Sequence, residues 1–256
     1  MIPKVIHYCW FGGNPLPPLA VKCIKSWRMV CPDYEIIEWN ERNFNVELNR
    51  YTREAYASKK WAFVSDVARL HILYNHGGIY MDTDVELKKP MDVFLENQGF
   101  SGFESPEYVQ TGVMGCERQY GLFKEFLDYY KDKKFINEDG SLDTTTNVAI
   151  ITGVVSNYGL IKDNSMQTIK GFKLYPNDYF CPKDFSTGKI TITPNTVAVH
   201  HFNASWFTDE QREVLRKNRL YKRFFGAWLG GKIGNAMYVY KTSGSRGVIR
   251  KMKGKS

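Results

Sequence analysis

Apolar and polar positions along this chain fall into blocks whose spacing separates strands from helices. Val5 to Phe11 is a short apolar run closed by Gly12-Gly13 and by Pro15, Pro17 and Pro18, which predicts a buried first strand. Residues 19–30 have helical spacing and stop at Cys31-Pro32, and residues 34–39 return to a strand pattern. A β-α-β opening favours a parallel sheet with helices on its faces. Residues 53–75 predict one long helix with Phe63, Val67, Leu70 and Tyr74 on its buried face. Asn75-His76-Gly77-Gly78 supplies a glycine C-cap, and the short strand Ile79-Tyr80-Met81 runs straight into Asp82-Thr83-Asp84. Beyond it the spacing predicts a strand and turn around 112–116, helices over 121–131 and 147–158, and strands near 170–175 and 190–201. From about residue 209 the pattern becomes a basic amphipathic helix, ending in a Gly/Ser/Lys-rich stretch after Thr242.

The candidate chemistry begins at Asp82-Thr83-Asp84. Side chains two apart on a strand point the same way, and paired carboxylates at a strand's carboxyl end can hold a hard divalent cation. In an open α/β sheet, ligands bind in the crevice at those ends. Asp-x-Asp alone is also a common exposed turn. Upstream, Asp66 and Arg69 are three apart on the long helix and share a face distinct from the apolar stripe. They read either as a polar fork for sugar hydroxyls or as a surface ion pair of little energetic weight.

The block Trp61-Ala62-Phe63-Val64-Ser65-Asp66-Val67-Ala68-Arg69, followed by His76-Gly77-Gly78-Ile79-Tyr80-Met81-Asp82-Thr83-Asp84, resembles glycosyltransferase family 32, the group with a sugar-binding region containing a DXD motif. The opening Ile2-Pro3-Lys4-Val5-Ile6-His7-Tyr8-Cys9-Trp10-Phe11-Gly12-Gly13 and the late His200-His201-Phe202-Asn203-Ala204-Ser205-Trp206 are similar to the same family, and the glucosyltransferase domains of large bacterial cytotoxins resemble it more distantly. The resemblance implies an α/β fold of GT-A type, a Rossmann-like mixed sheet flanked by helices. It also implies a retaining, metal-dependent hexosyl transfer from a nucleotide sugar, UDP-galactose or UDP-glucose first and GDP-mannose also possible. The implied acceptor is a glycan or lipid-linked oligosaccharide of bacterial capsule or surface polysaccharide.

Site roles follow by resemblance only. Trp10, with Phe11 beside it, would meet the nucleotide base. Asp66 and Arg69 would contact the donor sugar, with Tyr80 and Ser205 in the same substrate-binding set and Trp206 as part of a mobile lid. Asp82 and Asp84 would hold the metal and act in catalysis. His201 best matches the late metal ligand by counting to Ser205 and Trp206, with His200 the alternative, since neighbouring strand residues face opposite ways. An imidazole ligand favours Mn²⁺ over Mg²⁺. Asn147 either caps a helix or reaches the reacting sugar, and Gln110-Thr111-Gly112 is a candidate acceptor-side loop. No nucleophile is assigned; stabilisation of the leaving diphosphate would carry catalysis.

Composition changes the picture at the chain's end. Residues 211–256 hold 13 Lys/Arg against one acid, Glu213, whereas the whole chain is only +8. Val214, Tyr221, Phe225 and Trp228 lie near helical spacing among these basic residues. That composition suits an anionic membrane surface, nucleic acid, or packing on the body; the membrane surface is the favoured reading and nucleic acid is set aside. The expected domains are 1–208, catalytic, and 209–256, a basic helix and tail. Five cysteines without C-x-x-C spacing read as free thiols in a reducing compartment. With no signal-peptide pattern and no run of roughly 20 apolar residues, the expectation is a cytoplasmic protein peripheral to the inner face of the cell membrane. Two rival functions remain. One is a haloacid-dehalogenase-like phosphatase, whose strand also ends in Asp-x-Asp. The other is a non-catalytic carbohydrate-binding scaffold.

Overall fold

The first apolar run forms β1 (Val5–Cys9) because its alternate side chains enter two different cores, Ile6 and Tyr8 on one side and Cys9 on the other. The computed structural model describes residues 1–203, 213–222 and 226. Helix α1 (Pro18–Val30) opens with proline in its first turn, where no N–H partner is needed, and buries Ala20, Cys23, Ile24 and Trp27. Strand β2 (Glu35–Trp39) then returns parallel to β1, Val5 opposite Glu35 and Cys9 opposite Trp39.

The single helix expected over 53–75 is two helices, α2 (Arg50–Ala57) and α3 (Trp61–His76). Asn49 and Thr52 form a capping box that starts α2 upstream of the expected position. Lys59 stands at φ 56°, and the Lys60 N–H turns back to the Ala55 carbonyl at 2.9 Å. That reversal usually takes glycine, so Ser58-Lys59-Lys60 gives no local sign of it. The other end of α3 is as expected: Gly77 has φ 67° and its N–H meets the Leu73 carbonyl at 2.8 Å.

After β3 (Gly78–Met81) come β4 (Val85–Leu87), a 3-10 turn (Asp92–Phe94), β5 (Gly99–Ser105), β6 (Tyr108–Val109), β7 (Val113–Cys116), α4 (Gly121–Asp128) and α5 (Asn147–Ser156). Then follow β8 (Gln167–Ile169), β9 (Phe172–Tyr175), α6 (Asn177–Phe180) and β10 (Ala198–His200). The main sheet runs β2-β1-β3-β7-β5-β9-β8, with β6 paired to β5, while β10 pairs with β4 in a separate ladder. β1 is parallel to β2 and β3, β7 is antiparallel to both β3 and β5, and β5 is parallel to β9. This is the mixed α/β sheet flanked by helices that the sequence led us to expect. Of the strand expected over 190–201, only Ala198–His200 forms.

Both sheet faces are covered. One core gathers Phe63, Val67, Leu70, Tyr80, Met114 and Phe172 beneath α2 to α5, and the other gathers Trp27, Ile79, Met81, Phe94, Phe100 and Phe180. Burying each such side chain stabilises the fold by about 1.5–3 kcal/mol. β5 went unanticipated because glycines interrupt it. They are there for close packing: a Cβ on Gly99 would lie 2.6 Å from the Tyr120 ring, and one on Gly102 2.9 Å from Phe180.

The chain divides into two units, Met1–Pro182 with Ile192–His201, and Lys183–Thr191 with Phe202–Ser256. The expected division at 208/209 had no counterpart for the 183–191 excursion. Within the second unit, Lys183 and Ile190 form an antiparallel bridge and residues 213–222 are helical. Arg219 on that helix lies over the Phe185 ring at 5.1 Å and donates Nε to the Phe185 carbonyl at 2.9 Å. Ser205, Trp206, Phe225 and Trp228 lie outside the described residues. Among the described residues no helix is long and apolar enough to cross a membrane.

Candidate active site

β2 and β3 flank β1 on opposite sides, so the strand order reverses at β1, and it is beyond the carboxyl ends of strands at such a reversal that open α/β sheets bind ligands. Trp10 and Phe11 follow the first strand and Asp82 follows the third. The expected reason for the convergence of Asp82 and Asp84, alternation along one strand, is not the one found. β3 ends at Met81, and residues 82–85 form a turn closed by the Val85 N–H on the Asp82 carbonyl at 3.0 Å. The Asp82 N–H is held by the Gly112 carbonyl at 2.8 Å, and the Trp27 indole N–H anchors the Val85 carbonyl from α1 at 2.7 Å.

The antiparallel pairing of β10 with β4 sets His200 opposite Val85. His200 Nε2 then stands 3.2 Å from Asp84 Oδ1 and 3.9 Å from Asp82 Oδ2. One ligand atom from each of Asp82, Asp84 and His200 lies within 4.8 Å of the others, and these two carboxylates and an imidazole suit a divalent cation. Gly112 makes room for the arrangement, since a Cβ there would fall 2.9 Å from His200 Cε1 and 3.1 Å from Asp82 Oδ2. Burial resists a proton on His200, but the Asp84 carboxylate outweighs it and raises the imidazole well above its ordinary range.

His201, the better match by counting, is corrected. Its side chain faces the other way, Nε2 lying 2.9 Å from Glu86 Oε2, while its N–H meets the Asp84 carbonyl at 2.9 Å. Register against β4, not distance from Ser205, decides which histidine enters the site. Burial opposes ionisation of Glu86, yet hydrogen bonds from Lys88, His201 and Lys22 hold its carboxyl down at about 2.

On the opposite side α3 delivers Asp66 and Arg69. Arg69 Nη2 lies 3.1 Å from Asp66 Oδ1 and 3.3 Å from Asp82 Oδ1, Nη1 donates to the Thr111 carbonyl at 2.8 Å, and Nε to the Ser65 carbonyl at 3.3 Å. With all three guanidinium nitrogens engaged and 5% of the residue exposed, Arg69 holds Asp82 in place from within the core. Burial works against its charge, but Asp82, Tyr80 and Asp66 prevail and keep it protonated. Asp66 remains partly accessible; its burial, with Asp82 adding repulsion, outweighs its share of Arg69 and lifts its carboxyl to about 6.

Three other expected substrate contacts take different roles. Tyr80 is buried, donates its hydroxyl to Asp82 Oδ1 at 3.0 Å, and has the Arg69 guanidinium 4.6 Å from its ring centroid. The Phe11 side chain is a core residue packed edge-on against Phe44 at 5.8 Å. Asn147 is not the cap: Thr146 caps α5 through the Ala149 N–H, and Asn147 donates Nδ2 to the Asp66 carbonyl at 2.9 Å. Its Oδ1 is buried without a hydrogen bond. Trp10 is half-buried, with its indole N–H on the Asn14 carbonyl at 2.6 Å, so only its ring face can serve a base. In the candidate acceptor-side loop, Gln110 is buried and bracketed by Ser101 and the main chain of Val113, a structural role.

Sequence reasoning missed Glu104. It is the extra residue where β5 shifts register against β6, Phe103 pairing with Val109 and Ser105 with Tyr108. Burial raises its carboxyl, with His200 opposing and Asp82 adding to the shift. A lone Glu at the end of a glycine-interrupted strand carries no local signal.

Residues 17–101 match the family model described as a glycosyltransferase sugar-binding region containing DXD motif. The chain is 34% identical over 122 residues to inositol phosphoceramide mannosyltransferase 3 of Schizosaccharomyces pombe, a match covering 44% of this chain and 33% of that protein. It is 27% identical over 199 residues to the uncharacterized glycosyltransferase L373 of Acanthamoeba polyphaga mimivirus, covering 71% of this chain and 78% of that one. The matched segment spans about a third of the length of the first of these relatives. Among solved structures, the PaToxG glycosyltransferase aligns with a TM-score of 0.46 at 15% identity, over 61% of this chain and 69% of that chain. Asp82-Thr83-Asp84 lies within the stretch that matches this family model.

Proposed function

We propose that this chain is a metal-dependent glycosyltransferase of GT-A type that moves a hexose from a nucleotide sugar to a glycan or lipid-linked acceptor, with retention at the anomeric carbon. The observation that carries this reading is the meeting of Asp82, Asp84 and His200 within 4.8 Å at the strand-order reversal. Those three side chains would hold the cation, and an imidazole among carboxylates favours Mn²⁺ over Mg²⁺. When bound, the ion neutralises charge on the departing nucleoside diphosphate.

The chain's own residues position and bind. Arg69 and Tyr80 fix the Asp82 carboxylate. Asp66 accepts hydrogen bonds from sugar hydroxyls, and the Trp10 ring stacks on the base, a contact worth about 1–3 kcal/mol in other nucleotide sites. No side chain is needed as nucleophile, because the leaving phosphate oxygen can take the acceptor's proton. UDP-galactose and UDP-glucose are the proposed donors, with GDP-mannose beside them; the likeness to a mannosyltransferase supports keeping mannose in the set. We place residues 211–256 on the anionic inner face of the cell membrane, supported by 13 basic side chains against one acid.

The phosphatase alternative calls for a lysine and an acidic pair around its aspartates, whereas Arg69, Tyr80 and His200 face Asp82 and Asp84. The deciding experiment is a panel of UDP- and GDP-sugars with Mn²⁺ or Mg²⁺, following hydrolysis and transfer. Divalent-dependent turnover of one donor is expected, and Asp84→Ala should lower it by at least about 10²-fold. Undiminished activity in Asp84→Ala, or turnover indifferent to chelators, rejects the reading. Donor binding without turnover would point to the scaffold.

A further inference from the structure

The site contains a carboxylate that the proposed reaction has not used. Glu104 occupies the β5 bulge, a device that re-aims a side chain and is common beside active sites. β3 and β5 both pair antiparallel with β7 and so run the same way, which puts Glu104, like Asp82, at the carboxyl end of its strand on one edge of the sheet. Its electrostatic neighbours there are His200, Asp82 and Cys181. Among the described residues no hydrogen bond or ion pair reaches its carboxylate. A largely buried carboxylate without a partner costs the fold stability, and a protein keeps one where a ligand completes it.

Two ligand chemistries fit an anion here, a cation or a set of hydroxyls. The Asp82, Asp84 and His200 donor atoms form a cluster that leaves Glu104 out, which argues against direct coordination. A second anion beside a diphosphate would be repelled, so the carboxylate belongs next to the uncharged part of a nucleotide sugar. Carboxylates make short, charge-assisted bonds to hydroxyls.

Resting on the glycosyltransferase reading, we propose that Glu104 binds sugar hydroxyls across the cation site from Asp66, fixing the hexose and selecting which hexose is accepted. The hydroxyls belong either to the donor sugar or to the acceptor.

The test uses the full chain, Mn²⁺, the nucleotide sugar that wild type turns over, and the matching nucleoside diphosphate without sugar. Glu104→Gln is expected to leave Mn²⁺ affinity and nucleoside-diphosphate affinity within twofold of wild type. Nucleotide-sugar affinity should fall at least about tenfold if the donor supplies the hydroxyls. If the acceptor supplies them, the acceptor KM should rise by that factor with donor binding kept. Deoxygenated sugars should lose less against Glu104→Gln than against wild type. Because an unpartnered buried charge is removed, the variant's Tm should match or exceed that of wild type, whereas a structural carboxylate would lower it. A fall in Mn²⁺ affinity as large as that of Asp84→Ala makes Glu104 a cation ligand and overturns the proposal, as does wild-type binding and turnover in Glu104→Gln. If wild type itself binds no nucleotide sugar with any divalent ion, the glycosyltransferase reading has failed and the proposal with it.

Discussion

On the α3 side of the site, one guanidinium reaches Asp66 at 3.1 Å and Asp82 at 3.3 Å and spends its other nitrogens on main-chain carbonyls. On the β10 side, an imidazole stands 3.2 Å from Asp84, and Glu104, at the carboxyl end of β5, feels the charges of His200 and Asp82 without a hydrogen-bond partner among the described residues. The guanidinium of the first side is anchored before any ligand arrives; it sets the position of Asp82 and belongs to the core, leaving only the edge of Asp66 accessible. The second gathers negative charge around a single imidazole and suits an incoming cation. The comparison assigns stability to the Arg69 anchor on one half of the site and cation affinity to the other.

The largest effect that would break this comparison is on stability. Arg69→Met leaves Asp66 and Asp82 confronting each other in a buried setting. Removing one partner of a buried ion pair typically destabilises by about 3–5 kcal/mol. The urea midpoint should fall accordingly, while Asp84→Ala should leave it near wild type. Equal losses in the two variants would mean that the halves share one role. A loss below about 1 kcal/mol in Arg69→Met would mean that Asp82 is held by Tyr80 and the turn at 82–85.

A smaller effect separates the two adjacent histidines. His200→Ala removes one of the three clustered donors, and Mn²⁺ affinity measured by titration should drop by about 100-fold, the upper end of what even outer partners of a metal cost. His201→Ala, whose ring faces Glu86, should stay within twofold. The reverse ranking would return the late ligand to the position that motif counting selects.

How far the sequence reached differs by residue. Asp82 and Asp84 were legible because an apolar run ending in carboxylates marks a strand end, although the turn that brings them together was not. Asp66 and Arg69 were legible as a pair. That the arginine turns inward was not, since helical spacing assigns a face and leaves open what β7 and its preceding loop place against it. The break at Lys59 was hidden because a lysine adopts the left-handed conformation there. His200 and Glu104 depend on register, one against β4 and the other on a bulge against β6. Register is a relation between distant segments, and local spacing does not encode it.

A histidine outside the site sharpens the comparison and carries the smallest expected effect. His7 is fully buried, and its hydrogen-bond partners are neutral: the Trp39 indole N–H donates to Nδ1 at 3.1 Å, and Nε2 lies 3.0 Å from the Gly77 carbonyl. Because an indole only donates, Nδ1 accepts and the proton sits on Nε2, which donates to Gly77. Burial therefore wins, with the nearby His76 adding to it, and the group falls from 6.5 to about 4. Between those values the unfolded chain binds a proton that the folded one refuses, so stability is lost as pH falls from 6.5 towards 4 and levels off below. By pH 5 the loss should reach about 2 kcal/mol. Carboxylates also begin to titrate in that range, so the measurement is a difference: the urea midpoint from pH 7.5 to 5 for wild type against His7→Asn, which should flatten the slope. Parallel slopes would show that His7 gains a compensating partner when charged. The sign of a buried histidine's shift would then rest on more than the charge of its neighbours, and the contrast drawn between the two sides of the site would need a local dielectric difference as well.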